Sequence, residues 1–391
     1  MRQMLNKYSW GYAIVLSVAV LAIFSPLIFS ETHYKAGTVT SYFPQIMEYA
    51  QNLQQGTGNV PGFHIAHPGW ELLVILANSL FGVSFRTSAF LVTLFSILAA
   101  ALVLYFWFEP ILRARGLPLW LGVVAAIGLN LVTPLSILAS VDRKYYLGYI
   151  GIISYHNPTI ILLRPFALLQ FIFAFGCFQQ AGSSIWRQTG IAAAVTLLAT
   201  FAKPSFAICF LPVLSLLVAY RWLKKQEINW RLFFLGFFVP TIVMLAWQFL
   251  VAYGSPEQSG IFFFPFGVMA GLSGFLWIKF ILSILFPLLV TLLFFPEATR
   301  DIRMVMAWLV FLLGAFYSYF LAEGPPRTLD GNFIWSGKIA LLVLFCISTL
   351  FLLERIKTIR WKAILCGVVW GLHVAFGLIY YHHILITQKY I

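Results

Sequence analysis

The sequence predicts an all-α, polytopic transmembrane helical bundle, and three observations carry that expectation. Hydrophobic residues make up 61% of the 391 positions and charged residues only 9%, whereas a soluble domain is about 25% charged. Apolar runs near the ~20 residues that a bilayer requires recur from one end to the other. These runs are continuous rather than alternating, which excludes an outer-membrane barrel. The same composition excludes a disordered chain. No stretch is polar enough to form a soluble domain, so residues 1–391 read as one integral-membrane domain.

Eleven spans are expected, at roughly 11–29, 87–108, 118–138, 158–179, 188–202, 204–220, 232–253, 273–295, 304–322, 335–353 and 363–383. The first follows Arg2 and Lys7 and contains Phe24-Ser25-Pro26-Leu27. That is not a small-residue cleavage site, so a retained helix is expected rather than a signal peptide. The fifth and sixth are short and meet at Lys203-Pro204. Proline disfavours a continuing helix there, giving a tight hairpin, with one long kinked segment as the alternative. With the N-terminus cytoplasmic, 15 of the 25 Lys and Arg fall on cytoplasmic segments, and each cytoplasmic turn holds at least one Arg, as the positive-inside rule requires. The C-terminus is then exoplasmic. The net charge of +13 therefore reads as a topology signal. No basic face with interleaved aromatics lies outside the apolar runs, so nucleic acid is not an expected partner. Cys177, Cys209, Cys346 and Cys366 all sit in apolar runs without metal-ligand spacing and read as small buried hydrophobes.

Residues 69–82 (GWELLVILANSLFG) are apolar but too short to cross. They are expected to form a juxtamembrane helix in the outer interface. The first exoplasmic loop then covers residues 30–86 and is far the longest, and loops of that length are usually functional.

Function is sought where polar groups oppose the membrane. The outer side collects Glu31, Glu48, Glu71, Asp142, Glu257, Glu323 and Asp330, seven of the twelve acids. Glu31 directly follows the first span, where a half-shielded carboxylate suits a general base or a cation ligand; a solvated helix end is the plain alternative. His64 and His67 lie three apart, with Glu71 four beyond. His-x-x-His plus Glu can bind Zn²⁺, but Pro68 breaks the helical register; such histidines more often fix a loop or bind a polar substrate. Residues 140–165 hold four tyrosines, Tyr155 and His156 among the candidates, and end near Arg164. An aromatic belt explains the tyrosines but explains Arg164 poorly. Its planar fork suits phosphate oxygens, and snorkelling is the rival reading. Lys203 at the hairpin tip reads as a topology anchor or an anion ligand. Arg327 and Lys338, on the loop before the tenth span and just inside it, could grip a lipid phosphate, or form a plain charged turn.

These residues resemble a known pattern, that of the GT-C superfamily of integral-membrane glycosyltransferases. Glu31 opens the long first loop, and His67-Pro68-Gly69-Trp70-Glu71-Leu72-Leu73 followed by Leu80-Phe81-Gly82 is similar to the family's His-Pro-Pro-Leu-Tyr…Leu-Phe-Gly. Gly69 stands where the family has its second proline. Arg86 precedes the second span, and Ala202-Lys203-Pro204 resembles the family's Lys-Gly-Pro turn. The likeness covers about residues 1–225. It implies transfer of a sugar from a polyprenyl-phosphate carrier to an acceptor at the exoplasmic face of a bacterial inner membrane. Glu31 would be the catalytic base. His64, His67, Tyr155, His156, Arg164, Lys203, Arg327 and Lys338 would bind substrate, and in some members of the family a divalent metal assists. The expected partners are the lipid-linked donor, membrane lipids and a membrane protein partner. Two other readings stand beside it: a non-catalytic subunit or scaffold of a membrane complex, and a lipid or solute transporter.

Overall fold

The computed structural model describes residues 7–34, 41–56, 66–180, 185–253, 260–325, 327–357 and 359–390. They form an almost wholly helical bundle. In chain order the elements are α1 (Lys7–Thr32), α2 (Phe43–Gln54), α3 (Gly69–Phe81), α4 (Phe85–Ala114), α5 (Trp120–Leu129), α6 (Ala139–Asp142), α7 (Pro158–Ala174), α8 (Ile185–Ala202) and α9 (Ala207–Leu223). A π-helical turn, Leu232–Phe238, then leads into α10 (Val239–Tyr253). There follow β1 (Ile261–Phe263), α11 (Gly267–Leu272), α12 (Leu276–Leu293), α13 (Phe295–Arg300), α14 (Ile302–Phe320), β2 (Leu321–Glu323), α15 (Ile334–Arg355) and α16 (Arg360–Thr387). The two strands pair antiparallel, Ile261 opposite Glu323. Among the described residues eight helices are long and apolar enough to cross a membrane, so the chain has the makings of an integral membrane protein.

α15 is the axis of the bundle. Its sequence is apolar all round, which favours a helix enclosed on every side, and Ile334 to Leu353 are all buried. α14, α4, α7 and α12 pack around it.

The apolar run at 118–138 does not form one continuous helix. α5 ends at Leu129, and the chain stays irregular to Asn157 except for the single turn of α6. Proline at 134 disfavours helix at Thr133. Irregular backbone at membrane depth must be satisfied inside the protein, and neighbouring helices do so here. Thr133 N–H donates to the His373 carbonyl at 3.2 Å, Leu135 N–H to the Leu282 carbonyl at 3.2 Å, and Ile150 N–H to Ser283 Oγ at 3.1 Å. α16 lies so close that a Cβ on Gly377 would sit 1.7 Å from the Leu131 carbonyl. Only glycine fits that crossing.

α8 and α9 are two helices, separated at Lys203–Phe206, as the proline predicts. The helix expected at 69–82 runs Gly69–Phe81 and ends on Gly82 in the left-handed region, φ 63°. Its exposed face is apolar, unlike that of a helix on a soluble protein. Trp70, Glu71 and Val74 face inward, while Leu72, Leu73, Leu76, Leu80 and Phe81 are exposed. Residues 57–65, which include His64, lie outside the described residues.

Candidate functional site

Two distant segments meet at one end of the bundle. Gly69, at the start of α3, packs on the last turn of α8: a Cβ there would lie 3.0 Å from Ala202 Cα and 3.2 Å from the Phe201 carbonyl. The neighbours are backbone and cannot yield by changing rotamer. A proline or alanine at 69 would push the helices apart. Gly69→Ala is therefore expected to destabilise the protein by about 1–3 kcal/mol, read as a lower melting temperature in detergent. Unchanged melting would show that the two helices are not held this tightly.

This contact sets His67 and Glu71 beside Lys203. Lys203 ends α8, its N–H on the Ala199 carbonyl at 3.1 Å. Its Nζ donates to Thr159 Oγ1 at 3.1 Å and lies 5.5 Å from the Trp335 ring centre. Thr159 is fixed because Asn157 caps α7: Asn157 Oδ1 accepts from Ile160 N–H at 3.2 Å and from Thr159 Oγ1 at 2.8 Å, with Pro158 at the first helical position. Glu71 is fully buried and neither carboxylate oxygen has a hydrogen-bond partner. Burial, opposed in part by Lys203, pushes Glu71 up to about 8. Burial likewise pushes Lys203 down to about 8 against Glu71 and Glu323. Burial and Lys203 hold His67 below its usual range.

The Glu71 shift has a definite sign. Between its ordinary value of 4.5 and about 8, the folded state binds more protons at this site than the unfolded chain. Its contribution to stability is thus full below pH 4.5 and is lost as pH rises to about 8. Glu71→Gln, which copies the protonated form, is expected to remove that decline. The measurement is the difference in melting temperature between variant and wild type at pH 5 and pH 8. A difference that does not grow with pH would contradict the buried, protonated carboxyl.

Trp335 joins Lys203 to a second buried cation. Lys338 Nζ lies 4.5 Å from the Trp335 ring centre and 3.7 Å from that of Tyr146, and it donates to the Tyr146 hydroxyl. The Tyr146 hydroxyl also meets Ser154 Oγ at 3.0 Å. Arg164 is 2% exposed; its Nη2 donates to the Ile152 carbonyl at 3.3 Å, Nη1 has no hydrogen-bond partner, and Tyr146 and Tyr155 are its electrostatic neighbours. Among the described residues none of Arg164, Lys203 and Lys338 forms a salt bridge. Two acids that could have neutralised Arg164 are engaged elsewhere: Asp142 pairs with Lys279, and Glu323 with Arg327.

Glu31 closes the arrangement from the other side. It is fully buried at the end of α1, with the hydroxyls of Tyr390 and Ser41 facing its carboxylate. The Tyr390 ring lies 4.3 Å from that of His156, which in turn lies 5.1 Å from Tyr146 and 5.7 Å from Trp335. Tyr42 N–H donates to the His156 carbonyl at 3.0 Å. Burial first, then Lys338, holds the His156 imidazole well below its usual range, so it is neutral.

Glu31, Tyr155, His156, Arg164, Lys203 and Lys338 thus belong to one buried, tyrosine-lined cluster, and His67 borders it. Arg327 does not enter it. That guanidinium is 3.5 Å from Glu323 and 5.6 Å from the Tyr253 ring centre, at the rim. Tyr146, Trp335 and Tyr390 were not singled out from sequence as site residues. Nor was Lys279, which is wholly buried in α12 and holds Asp142, Ser273 Oγ at 2.6 Å and the Leu147 carbonyl at 3.1 Å. That staple fixes the loop carrying Tyr146. The rule that exposes Arg164, an ionisable residue within a span, would have found Lys279 too. Among the described residues no three His, Cys, Asp or Glu side chains converge as a metal-holding group.

Beside the cluster, α3, α4 and α7 leave an apolar groove of about 340 Å³, walled by Leu73, Leu76, Phe95, Leu162, Pro165 and Phe166. Chemically the end of the bundle offers two buried carboxyl groups, Glu31 and Glu71, three buried basic side chains that form no salt bridge among the described residues, and an apolar trough. No protein-family model matches the chain, and no curated protein is similar to it at a significant level.

Proposed function

We propose that the chain is a GT-C-like membrane glycosyltransferase that moves a sugar from a polyprenyl-phosphate carrier to a hydroxyl acceptor. The observation that carries this reading is the burial of Arg164, Lys203 and Lys338, none of which forms a salt bridge among the described residues. A buried cation left unpaired is costly, and an anionic ligand offsets that cost. A phosphodiester on a lipid is the anion that a membrane protein meets at this depth. In this reading Arg164 and the two lysines hold the phosphate. The prenyl chain leaves along the apolar groove beside α7.

Glu31 serves as general base. Its carboxylate takes the proton from the acceptor hydroxyl as the oxygen attacks the anomeric carbon. The bond between that carbon and the phosphate oxygen breaks, and the prenyl phosphate departs with the electron pair. The cations stabilise the charge that develops on the leaving phosphate. Tyr155 and neutral His156 line the sugar's side, and His67 borders the phosphate. The longer topology belongs to the same proposal: about eleven crossings, counting α8, α9 and the half-length α5, with the site exoplasmic on a bacterial inner membrane.

The test is reconstitution in proteoliposomes with a prenyl-phosphate-linked sugar, following sugar on the acceptor and free prenyl phosphate by mass. One observation favours a second reading, a non-catalytic member of the same architecture. The cluster is closed, with Tyr390 packed against His156 and its hydroxyl on Glu31. Purification with a stoichiometric membrane partner and no bound prenyl phosphate would favour that reading.

A further inference from the structure

At the opposite end of the bundle the ends of α8, α9 and the π-helical turn converge. Arg231 lies with its guanidinium 4.1 Å from the ring centre of Trp186, and Arg221 lies 5.3 Å from that of Phe178. Asn229 N–H donates to the Cys177 carbonyl at 2.9 Å, tying the two segments together. Five cations gather on this corner: Arg187, Arg221, Lys224, Lys225 and Arg231. All but Arg221 are exposed. Among the described residues none of them forms a salt bridge. The Arg221 Nε is buried without a hydrogen-bond partner. Glu227, the one acid in the two segments, accepts from Gln180.

Elsewhere at this end most cations are already engaged. Arg113 pairs with Glu109, and Arg303 bridges Asp301 and Glu354. Lys357 Nζ donates to the Arg115 carbonyl at 2.7 Å, and Lys362 Nζ to the Leu293 carbonyl at 2.6 Å. The corner differs in leaving its charge unused. It is also ringed by exposed Trp186, Trp222 and Trp230, side chains that settle at headgroup level. Cations set among such rings face the phosphates of a bilayer rather than bulk water.

We propose that this corner binds the headgroup of an anionic phospholipid, its phosphate held by Arg221, Lys224 and Arg231 and its glycerol end packed on Trp186 and Trp230. Juxtamembrane cations attract anionic lipid, each by roughly fivefold in affinity near the surface. The proposal does not depend on the glycosyltransferase reading, since the two ends share no residue.

The test uses the full chain in nanodiscs of phosphatidylglycerol and phosphatidylcholine in equal amounts, followed by release into detergent and native mass spectrometry. Wild type should retain phosphatidylglycerol about fivefold or more over phosphatidylcholine. The variant Arg221→Gln/Lys224→Gln/Arg231→Gln should lose that preference, and Lys357→Gln, at the same end, should keep it. If the triple variant does not fold, Arg221→Gln alone should weaken retention, and wild-type preference should fall as salt screens the contact. Equal retention of both lipids by wild type would overturn the proposal. So would an unchanged preference in the variants, or an acidic protein bound at this corner in place of lipid.

Discussion

Glu31→Gln is expected to lower sugar transfer by about 10²- to 10⁴-fold, the range a positioned general base supplies. The substitution keeps the shape of the side chain and an acceptor oxygen for the hydroxyls of Tyr390 and Ser41, so the fold should survive. It removes only the capacity to accept a proton. Donor binding should be unchanged, because the cations that hold the phosphate in this proposal are Arg164, Lys203 and Lys338. A variant that binds donor normally and transfers nothing would separate chemistry from binding. If instead Glu31→Gln transfers sugar at the wild-type rate, the base is another group and the role given to Glu31 is wrong.

Lys338→Met is expected to do two opposite things. Lys338 is 4% exposed within α15, the most enclosed helix; among the described residues its Nζ donates to the Tyr146 hydroxyl, faces two aromatic rings and forms no salt bridge. Burial of an ion without a counter-charge costs several kcal/mol, offset in part by cation–π attraction of about 2 kcal/mol. Methionine fills a similar volume without charge, so the free protein should become more stable by about 1–4 kcal/mol. Affinity for a prenyl phosphate should fall at least about tenfold, since a charge-assisted hydrogen bond of about 1.5–3 kcal/mol is lost. Melting temperature and lipid affinity measured on the same preparation check both. A variant both less stable and equally able to bind would mark Lys338 as structural.

The helices were legible because membrane insertion demands long apolar runs, and the Lys203-Pro204 turn because proline cannot continue a helix. The meeting of two separate motifs was not. Nothing near Gly69 announces that it lies against Ala202, although the absence of a side chain there is what lets the two backbones touch. Lys338 and Tyr146 are 192 residues apart in sequence, and such pairings follow from packing, which no local pattern encodes. The break after Leu129 escaped for a different reason. Residues 130–138 are as apolar as a helix, and their irregular backbone is satisfied by His373 and Leu282 on remote helices. Arg164 stood out in sequence because an ionisable residue within a span opposes hydrocarbon, and Glu31 because it directly follows the first span and opens the longest loop. Arg327 was singled out as a cation on an outer loop, and Glu323 four residues earlier holds it at the rim.

The most direct measurement is the affinity of the purified protein for a prenyl monophosphate, without sugar, by native mass spectrometry in mild detergent. Wild type and Glu31→Gln should bind it equally. Arg164→Ala should lose at least about tenfold, as expected for a lost charge-assisted contact. Arg164→Lys should lose less, because it keeps the charge without the planar fork. Failure of wild type to bind, or equal binding by wild type, Arg164→Ala and Arg164→Lys, would show that the three buried cations are not a phosphate site.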